Sequence, residues 1–188
     1  MQERLNSPIP PKQQFAGTLK LIGQVSYWVH LILGATSLII LGLIVFSRRL
    51  EGTPSSTAIS VGIFAIIASL VTLGIRIFMA WRYSRMAKKL QTNTPNNQPQ
   101  RSEIIAALKL GLFTSILGLV LAFIASETTI VTVIAQAIAQ PQTTPIYEPQ
   151  QAVETADLFL DFVSITVLGA HVLGTIDSLS LLNWITRE

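Results

Sequence analysis

Four long apolar stretches alternate with polar segments along this chain. They cover about residues 25–46, 58–81, 106–127 and 158–184. About twenty apolar residues in an α-helix cross a hydrocarbon core of roughly 30 Å at 1.5 Å per residue. Lipid offers the backbone no hydrogen-bonding partner, so segments of this kind cross it as helices. The pattern predicts an all-α fold, a polytopic membrane protein with a four-helix transmembrane bundle.

The polar segments set the predicted boundaries of the membrane domain. Residues 1–22 are interpreted as a polar N-terminal tail, and residues 23–188 as a single four-span membrane domain. Residues 82–103 begin with basic side chains and continue with Asn, Gln and Pro, a composition typical of a flexible surface linker. Residues 140–155 are expected to form a proline-broken outer loop.

Span four is the segment whose assignment stays open, because it contains Asp161, His171 and Asp177. Its uncharged stretch, residues 162–176, is too short to cross the bilayer by itself. The alternative is a re-entrant or surface helix and an odd number of spans. Span three is interrupted by Glu127, and the apolar pattern that resumes afterwards predicts an interfacial extension of the same helix.

Composition supports the membrane assignment, because 50% of the residues are hydrophobic and only 12% are charged. With four spans, most cations fall on one side of the membrane and Arg48 and Arg49 on the other. The positive-inside rule then places both termini on the cytoplasmic side. Trp28, Trp81 and Trp184 all map to that inner boundary, where amphipathic rings prefer to lie. Because the cations lie in segments beside spans, they indicate topology and lipid contact, and we expect no nucleic-acid partner.

The motifs of several enzyme classes are missing from the chain. The chain has no cysteine, which excludes thiol catalysis, disulfides and Cys-ligated metals. It has no GxSxG, HExxH, Walker or GxGxxG motif and no histidine pair at metal-ligand spacing. We therefore expect a non-enzymatic protein.

Each span has one face of small or polar residues at helical spacing. The four faces consist of Ser26, His30, Gly34 and Ser37; of Ala65, Ser69, Thr72 and Arg76; of Thr114, Gly118, Ala122 and Ser126; and of Asp157, Asp161, Ser164, His171 and Thr175. One interpretation is close packing, since small residues let helices approach and hydroxyls bond between them. The other is a polar path along the bundle axis, because ionisable groups inside membranes often have a function.

The two histidines are candidate cofactor ligands. If the tryptophans mark the inner boundary, His30 lies roughly 3 Å from it and His171 roughly 20 Å from it. This difference in depth argues against a haem or metal shared by both. Either could singly bind chlorophyll or haem, but a lone histidine on a helix face is more often a hydrogen-bonding packing residue. We therefore expect no cofactor.

Three further charged residues are candidates for buried polar contacts. Arg76 and Asp177 lie at matching depths, which allows an ion pair between spans two and four. Against this pair, Asp177 points away from the face that carries His171, and Arg76 could instead extend to lipid phosphates. Asp161 maps to the outer boundary, where it can meet water. Asp157 and Asp161, one turn apart, are typical of a solvated helix start.

Several segments together resemble a known family. These are AWRYSRMAKKL after span two, the polar linker, the third helix ending in AQAIAQ, and DFVSITVLGAHVLGTID in span four. They are similar to an uncharacterised family of four-helix integral membrane proteins of cyanobacteria and plastids. The resemblance implies a thylakoid or other photosynthetic membrane and implies no reaction. In size and span number alone, the chain also resembles the four-helix subunit of the plastid inner-envelope protein translocon.

Three hypotheses about function follow. The first is an accessory or assembly protein that contacts other membrane protein subunits of a photosynthetic-membrane complex, in the thylakoid or plasma membrane of a cyanobacterium. The second is a small-solute or ion transporter or channel lined by the four polar faces. The third is a pigment- or haem-binding membrane protein that uses His171 or His30.

Overall fold

The computed structural model describes residues 12–51, 57–92, 99–139 and 155–187. The described residues form four helices, α1 (Lys12–Glu51), α2 (Thr57–Gln91), α3 (Arg101–Ala139) and α4 (Thr155–Arg187), and no strand. All four are long and apolar enough to cross a membrane. The predicted all-α, four-span fold is confirmed. Span four is one continuous helix of 33 residues and not a re-entrant segment.

The helices extend well beyond the predicted spans. α1 begins at Lys12, inside the predicted tail of residues 1–22, and α2 continues to Gln91, inside the predicted linker of residues 82–103. Both segments are polar in composition but carry buried apolar residues at helical spacing, which tie them to neighbouring helices. Residues 1–11, 93–98 and 140–154, which include most of the predicted outer loop, lie outside the described residues.

Neighbouring helices run antiparallel in an up-down-up-down bundle. Phe15 on α1 packs against Trp184 at one end of α4, and Arg48 pairs with Asp157 at the other end. The two ends of the described chain therefore lie at the same end of the bundle. Which side of the membrane this end faces stays a prediction.

A band of exposed apolar side chains surrounds the bundle and marks its lipid-facing surface. Large exposed hydrophobic side chains occur within residues 21–46, 61–81, 110–138 and 158–179 of the four helices. On α2 and α4 the band is about 30 Å long at 1.5 Å per residue, which matches the hydrocarbon core. This arrangement is expected of a protein whose solvent is lipid, and the chain is a multi-pass membrane protein.

Beyond this band, at the end that contains Phe15 and Trp184, the helices continue as what we call the basic cap. It comprises residues 12–20, 82–91, 101–109 and 180–187. The cap has an apolar core, which includes Phe15, Leu19, Met86, Ala87, Leu90, Ile104, Leu108, Leu181 and Ile185. Its exposed cations are Arg82, Arg85, Lys88, Lys89 and Lys109. The described membrane helices thus end in a packed, positively charged structure.

Candidate functional site: a buried polar centre

Polar side chains from all four helices meet in the bundle between two apolar clusters. One cluster is the core of the basic cap, and the other, at the opposite end, includes Leu41, Ile66, Ala122, Leu160 and Val167. Between them lie the fully buried His30 of α1, Arg76 of α2, Ser115 of α3 and His171 of α4. We call this layer the polar centre.

The four polar faces predicted from helical spacing point into the bundle. Apart from Gly34, Asp161 and Thr175, which are half-buried, every residue of these faces is buried. The interior is therefore polar in its middle layer and apolar above and below. The two apolar clusters lie at the two ends of this layer.

Arg76 is the largest fully buried side chain of the described residues. Its Nη2 donates a hydrogen bond to the Gly174 carbonyl at 2.9 Å, and its Nη1 donates to the Tyr83 hydroxyl at 3.2 Å. The Tyr83 hydroxyl in turn donates to the Ala107 carbonyl at 3.1 Å. This network joins α2, α3 and α4 around one guanidinium group.

Asp177 is the carboxylate beside this guanidinium. Its Oδ2 lies 3.9 Å from Arg76 Nη2, at the outer limit of an ion pair, and its side chain is 27% exposed while that of Arg76 is 0% exposed. The structure thus brings together the two residues predicted to match in depth. The alternative, in which Arg76 extends to lipid phosphates, is wrong because the guanidinium points into the bundle.

Three unpartnered polar atoms converge above Gly174. A Cβ at this glycine would lie 2.7 Å from Arg76 Nε, 2.8 Å from Ser115 Oγ and 3.0 Å from His30 Nε2. Within the described part of the chain, none of these three atoms has a hydrogen-bond partner. Buried polar groups in proteins are nearly always paired, so three such atoms at one point call for an explanation.

His30 is held by its own helix. Its Nδ1 lies 2.5 Å from the Ser26 carbonyl oxygen and 3.2 Å from Ser26 Oγ. Since a carbonyl oxygen only accepts, Nδ1 carries the hydrogen. The other nitrogen, Nε2, faces α4 near Ala170 and Gly174. The Ser26 contact therefore fixes the orientation of the ring and aims Nε2 at the polar centre.

His171 lies one turn before Gly174 on α4, and it contacts α2 and α3. Its Nε2 lies 3.2 Å from the Ser69 carbonyl oxygen and 3.3 Å from Thr72 Oγ1. Gly118 of α3 packs directly against the ring, because a Cβ there would overlap the imidazole and Thr72 Oγ1. Ser69 Oγ also donates to the Gly118 carbonyl at 2.8 Å. Three helices thus meet at this histidine, and only glycine fits at position 118.

The two histidines lie at nearly equal depth, and the predicted difference between them is wrong. Measured from the edge of the apolar band, His30 is nine residues from Leu21 and His171 is eight residues from Leu179, about 12–14 Å in each case. The error came from the tryptophans. Trp28 lies well inside the band and is 55% exposed, whereas Trp184 packs into the cap core against Phe15.

Trp81 is the tryptophan that does lie at the edge of the band. It is partly exposed, and the Arg85 guanidinium carbon lies 3.7 Å from the centre of its ring, which is a cation–π contact. The depth of Arg76, counted from Trp81, was therefore close to correct, whereas that of Asp177 was counted from Trp184, which lies in the cap.

The two aspartates at the start of α4 have different surroundings. Asp161 is half-buried and accepts a hydrogen bond from Ser126 Oγ at 3.0 Å. Asp157 is almost completely buried and pairs with Arg48 of α1. The prediction of a solvated carboxylate pair is wrong for Asp157, because α1 continues far enough to place a cation beside it.

The geometry around the histidines does not fit haem or chlorophyll. His171 Nε2 already faces two oxygen atoms, and Gly118 closes that side of the ring. His30 Nε2 faces the same point as Arg76 Nε, and a neighbouring cation opposes binding of a metal ion. Among the residues that the structure describes, no group of three or more potential His, Asp or Glu metal ligands occurs. This arrangement disfavours the pigment-binding hypothesis.

Several residues of the centre were missed by the sequence analysis. Ser115, Tyr83 and Gly174 lie outside the polar faces chosen from helical spacing, yet Ser115 and Gly174 form the convergence point with His30 and Arg76. Gly174 could have been noticed because it lies one turn after His171. Tyr83 lay in the predicted linker, so no pattern within span two could find it.

The fold and the centre define a class, the multi-pass α-helical membrane proteins with a closed polar layer inside a four-helix bundle. Residues 9–186 match the model of a family described as Protein of unknown function (DUF3611), and the chain belongs to this family. The chain is also similar to Protein TIC 21, chloroplastic, of Arabidopsis thaliana, with 26% identity over 172 residues. The match covers 89% of this chain and 56% of that protein, so this chain spans about half the length of that protein. No solved structure matches.

Proposed function

We propose that this chain is a non-enzymatic membrane subunit that docks through its basic cap onto an acidic surface of a larger membrane protein complex. The observation that carries the proposal is the cap itself. α2 continues beyond the apolar band and presents Arg82, Arg85, Lys88 and Lys89 on a helix whose other face is packed into an apolar core. Charges held on a packed helix form a fixed pattern that a complementary surface can recognise.

The setting we propose for this complex is a photosynthetic membrane, the thylakoid or plasma membrane of a cyanobacterium. Two findings support it. The matched relative carries the word chloroplastic in its name, and the match covers 89% of this chain.

The docking proposal is tested by reversing the charge of the cap. We expect the triple variant Arg82→Glu/Lys88→Glu/Lys89→Glu to lose a partner that wild-type protein retains after mild crosslinking in native membranes and purification. The matched control is Arg82→Lys/Lys88→Arg/Lys89→Arg, which keeps every charge and should keep the partner. Mass spectrometry with quantified yields would measure the loss, expected to be tenfold or more.

Charge reversal in a segment that determines topology can also invert the orientation of the protein in the membrane. The chain has no cysteine, so a single cysteine introduced at Ser102 reports the side of the cap by accessibility to an impermeant maleimide. Recovery of wild-type protein alone, or equal partner yields from the charge-reversed and charge-conserving variants with unchanged topology, would refute the proposal.

A second candidate function, a small-solute transporter, is favoured by one specific observation. Each of the four side chains of the polar centre has one buried polar atom without a hydrogen-bond partner among the described residues: His30 Nε2, Arg76 Nε, Ser115 Oγ and His171 Nδ1. Against this function, the described helices close the centre between two apolar clusters, so transport would need the helices to move. The discriminating measurement is solute flux in proteoliposomes, with His171→Ala and Arg76→Gln as variants. Flux that both variants abolish while they remain folded would favour transport over docking.

A further inference from the structure

α1 and α2 pack closely where the apolar band meets the basic cap. A Cβ at Gly23 of α1 would lie 2.9 Å from Ser84 Oγ and 3.1 Å from the Ala80 carbonyl oxygen of α2. Gly23 therefore lies directly against the turn of α2 from Ala80 to Ser84. Farther into the band, Gly34 packs against Leu73 in the same way. These two contacts fix which residues of the two helices are neighbours, and we call the outer surface along them the α1–α2 seam.

Cations from both helices border this seam. Lys20 lies three residues before Gly23, so the antiparallel register places it level with the turn of α2 that follows Ser84. That turn carries Arg85 and Lys88, which are both exposed, whereas Lys20 is half-buried. Lys20 is one helical turn from Gly23 and Lys88 one turn from Ser84, so both flank the contact between the helices. Three positive charges thus lie together on one side of the bundle.

Arg85 is oriented by a ring at the edge of the apolar band. Its guanidinium carbon lies 3.7 Å from the centre of the Trp81 ring, which is itself 40% exposed. This cation–π contact is made with the face of the ring, so it leaves the N–H groups of the guanidinium for hydrogen bonds to an anion. Arg85 is therefore a preoriented donor at the boundary between hydrocarbon and water.

Two pairs of aromatic rings lie on the hydrocarbon side of these cations. On α2 the ring centres of Phe78 and Trp81 are 5.8 Å apart, and on α1 those of Tyr27 and Trp28 are 5.7 Å apart. Tyr27 is one turn after Gly23, so it borders the same seam as Trp81. Phe78 and Trp28 are each more than half exposed within the apolar band. The surface is thus aromatic below and cationic above, which matches the chains and the headgroup of an acidic lipid.

Neither helix contributes a compensating negative charge to the seam. α2 contains no acidic residue, and α1 contains only Glu51, at the opposite end of the bundle. The side of α2 that faces α3 differs. Glu103 is exposed there, one turn before Ala107, whose carbonyl accepts the hydrogen bond from Tyr83 of α2. An anion is therefore attracted more strongly to the α1–α2 seam than to the other side of α2.

We propose that the α1–α2 seam binds one anionic phospholipid from the leaflet on the side of the cap. Its phosphate contacts Arg85, Lys88 and Lys20, and one acyl chain runs along the rings of Trp81 and Tyr27. A zwitterionic lipid brings no net charge to the three cations, and a free anion lacks the chain that the rings contact. The inference does not depend on the docking proposal, because a lipid at this seam leaves the other side of α2 for an acidic protein surface.

The test is fluorescence quenching of the full chain in phosphatidylcholine vesicles. Bromine atoms on an acyl chain quench a tryptophan that the chain contacts. Trp28 and Trp81 are exposed in the band, whereas Trp184 packs against Phe15 in the cap. A small fraction of brominated phosphatidylglycerol is compared with the same fraction of brominated phosphatidylcholine. We expect phosphatidylglycerol to quench with an apparent affinity about threefold or more above that of phosphatidylcholine, and the difference to shrink at high salt.

A pair of double variants locates the bound lipid. Lys20→Gln/Arg85→Gln removes two cations from the seam and should bring the affinities of the two lipids to equality. Arg82→Gln/Lys89→Gln is the matched control, because these residues follow the helical spacing of the buried Met86, away from the seam. It removes the same charge from the same cap and should keep the preference. Circular dichroism verifies that both variants are folded.

The charge-conserving variant Lys20→Arg/Arg85→Lys should also keep the preference, which separates loss of charge from loss of packing. Soluble glycerol phosphate, added in excess, separates a lipid from a free anion, and we expect it to leave the preference unchanged. Equal quenching of wild-type protein by the two brominated lipids would overturn the proposal, as would equal loss of the preference in the two folded glutamine variants. Displacement of the lipid by glycerol phosphate would overturn the requirement for acyl chains.

Discussion

In the described part of the bundle, two contacts between an arginine and an aspartate differ in which member is the more buried. Arg48 and Asp157 join α1 to α4 at the end away from the cap, and the carboxylate is 1% exposed. Arg76 and Asp177 join α2 to α4 in the polar centre, where the arginine is fully buried and the carboxylate partly exposed, 3.9 Å away. The first contact is close and the second is loose.

The difference indicates that the two pairs have different roles. A buried carboxylate needs a close cation, because desolvation of an ion is costly unless a partner compensates for it. Asp157 has that cation in Arg48, so this pair fastens α1 to α4. Arg76 instead divides its donors between Gly174, Tyr83 and Asp177 and leaves Nε free. Arg76 therefore joins α2 to α3 and α4 through carbonyl and hydroxyl contacts and depends less on its carboxylate.

The largest effect is expected from Arg48→Ala. This change removes the cation beside the buried Asp157 carboxylate and should lower the free energy of unfolding by about 3 kcal/mol. The measurement is unfolding by SDS in mixed micelles, followed by far-ultraviolet circular dichroism. The double variant Arg48→Ala/Asp157→Asn, which also removes the negative charge, should recover part of the loss. Equal stability of Arg48→Ala and wild-type protein would contradict a fastening role.

Gly118→Ala is expected to have the next largest effect. The added Cβ would overlap the His171 ring and Thr72 Oγ1, which are held between three helices. Overpacking of this kind costs about 1–3 kcal/mol, and the same unfolding measurement detects it. Gly74→Ala is the control, because nothing lies within 4 Å of its added Cβ. Equal free energies of unfolding for the two variants would show that α3 does not pack closely against His171.

Asp177→Asn should have the smallest effect on stability. Arg76 keeps its hydrogen bonds to the Gly174 carbonyl and the Tyr83 hydroxyl, and the carboxylate is 3.9 Å away and partly exposed, so the loss should be below about 1 kcal/mol. Comparison with Arg48→Ala under identical conditions then measures the contrast between the two pairs directly. A loss for Asp177→Asn as large as that for Arg48→Ala would show that Arg76 depends on this carboxylate as much as Asp157 depends on Arg48.

The amino-acid sequence by itself determined the four spans and the faces that point inward. Lipid provides no partner for polar groups, so long uncharged stretches reveal membrane helices, and small or polar residues at helical spacing reveal their packed faces. His30, Arg76 and His171 could be selected on this basis, because each is an ionisable residue in an otherwise apolar helix. Each of these features can be identified from the residues of a single helix.

Only the tertiary structure decided how the four helices align along their axes. The depth of His30 was misjudged because one tryptophan was taken as a boundary, while the true boundary depends on where α1 packs against its neighbours. The cap was mistaken for a tail and a linker because its apolar residues are sparse and become a core only when four helix ends meet. The convergence of Arg76, His30 and Ser115 above Gly174 was also decided by the tertiary structure, because it depends on the distances between helices.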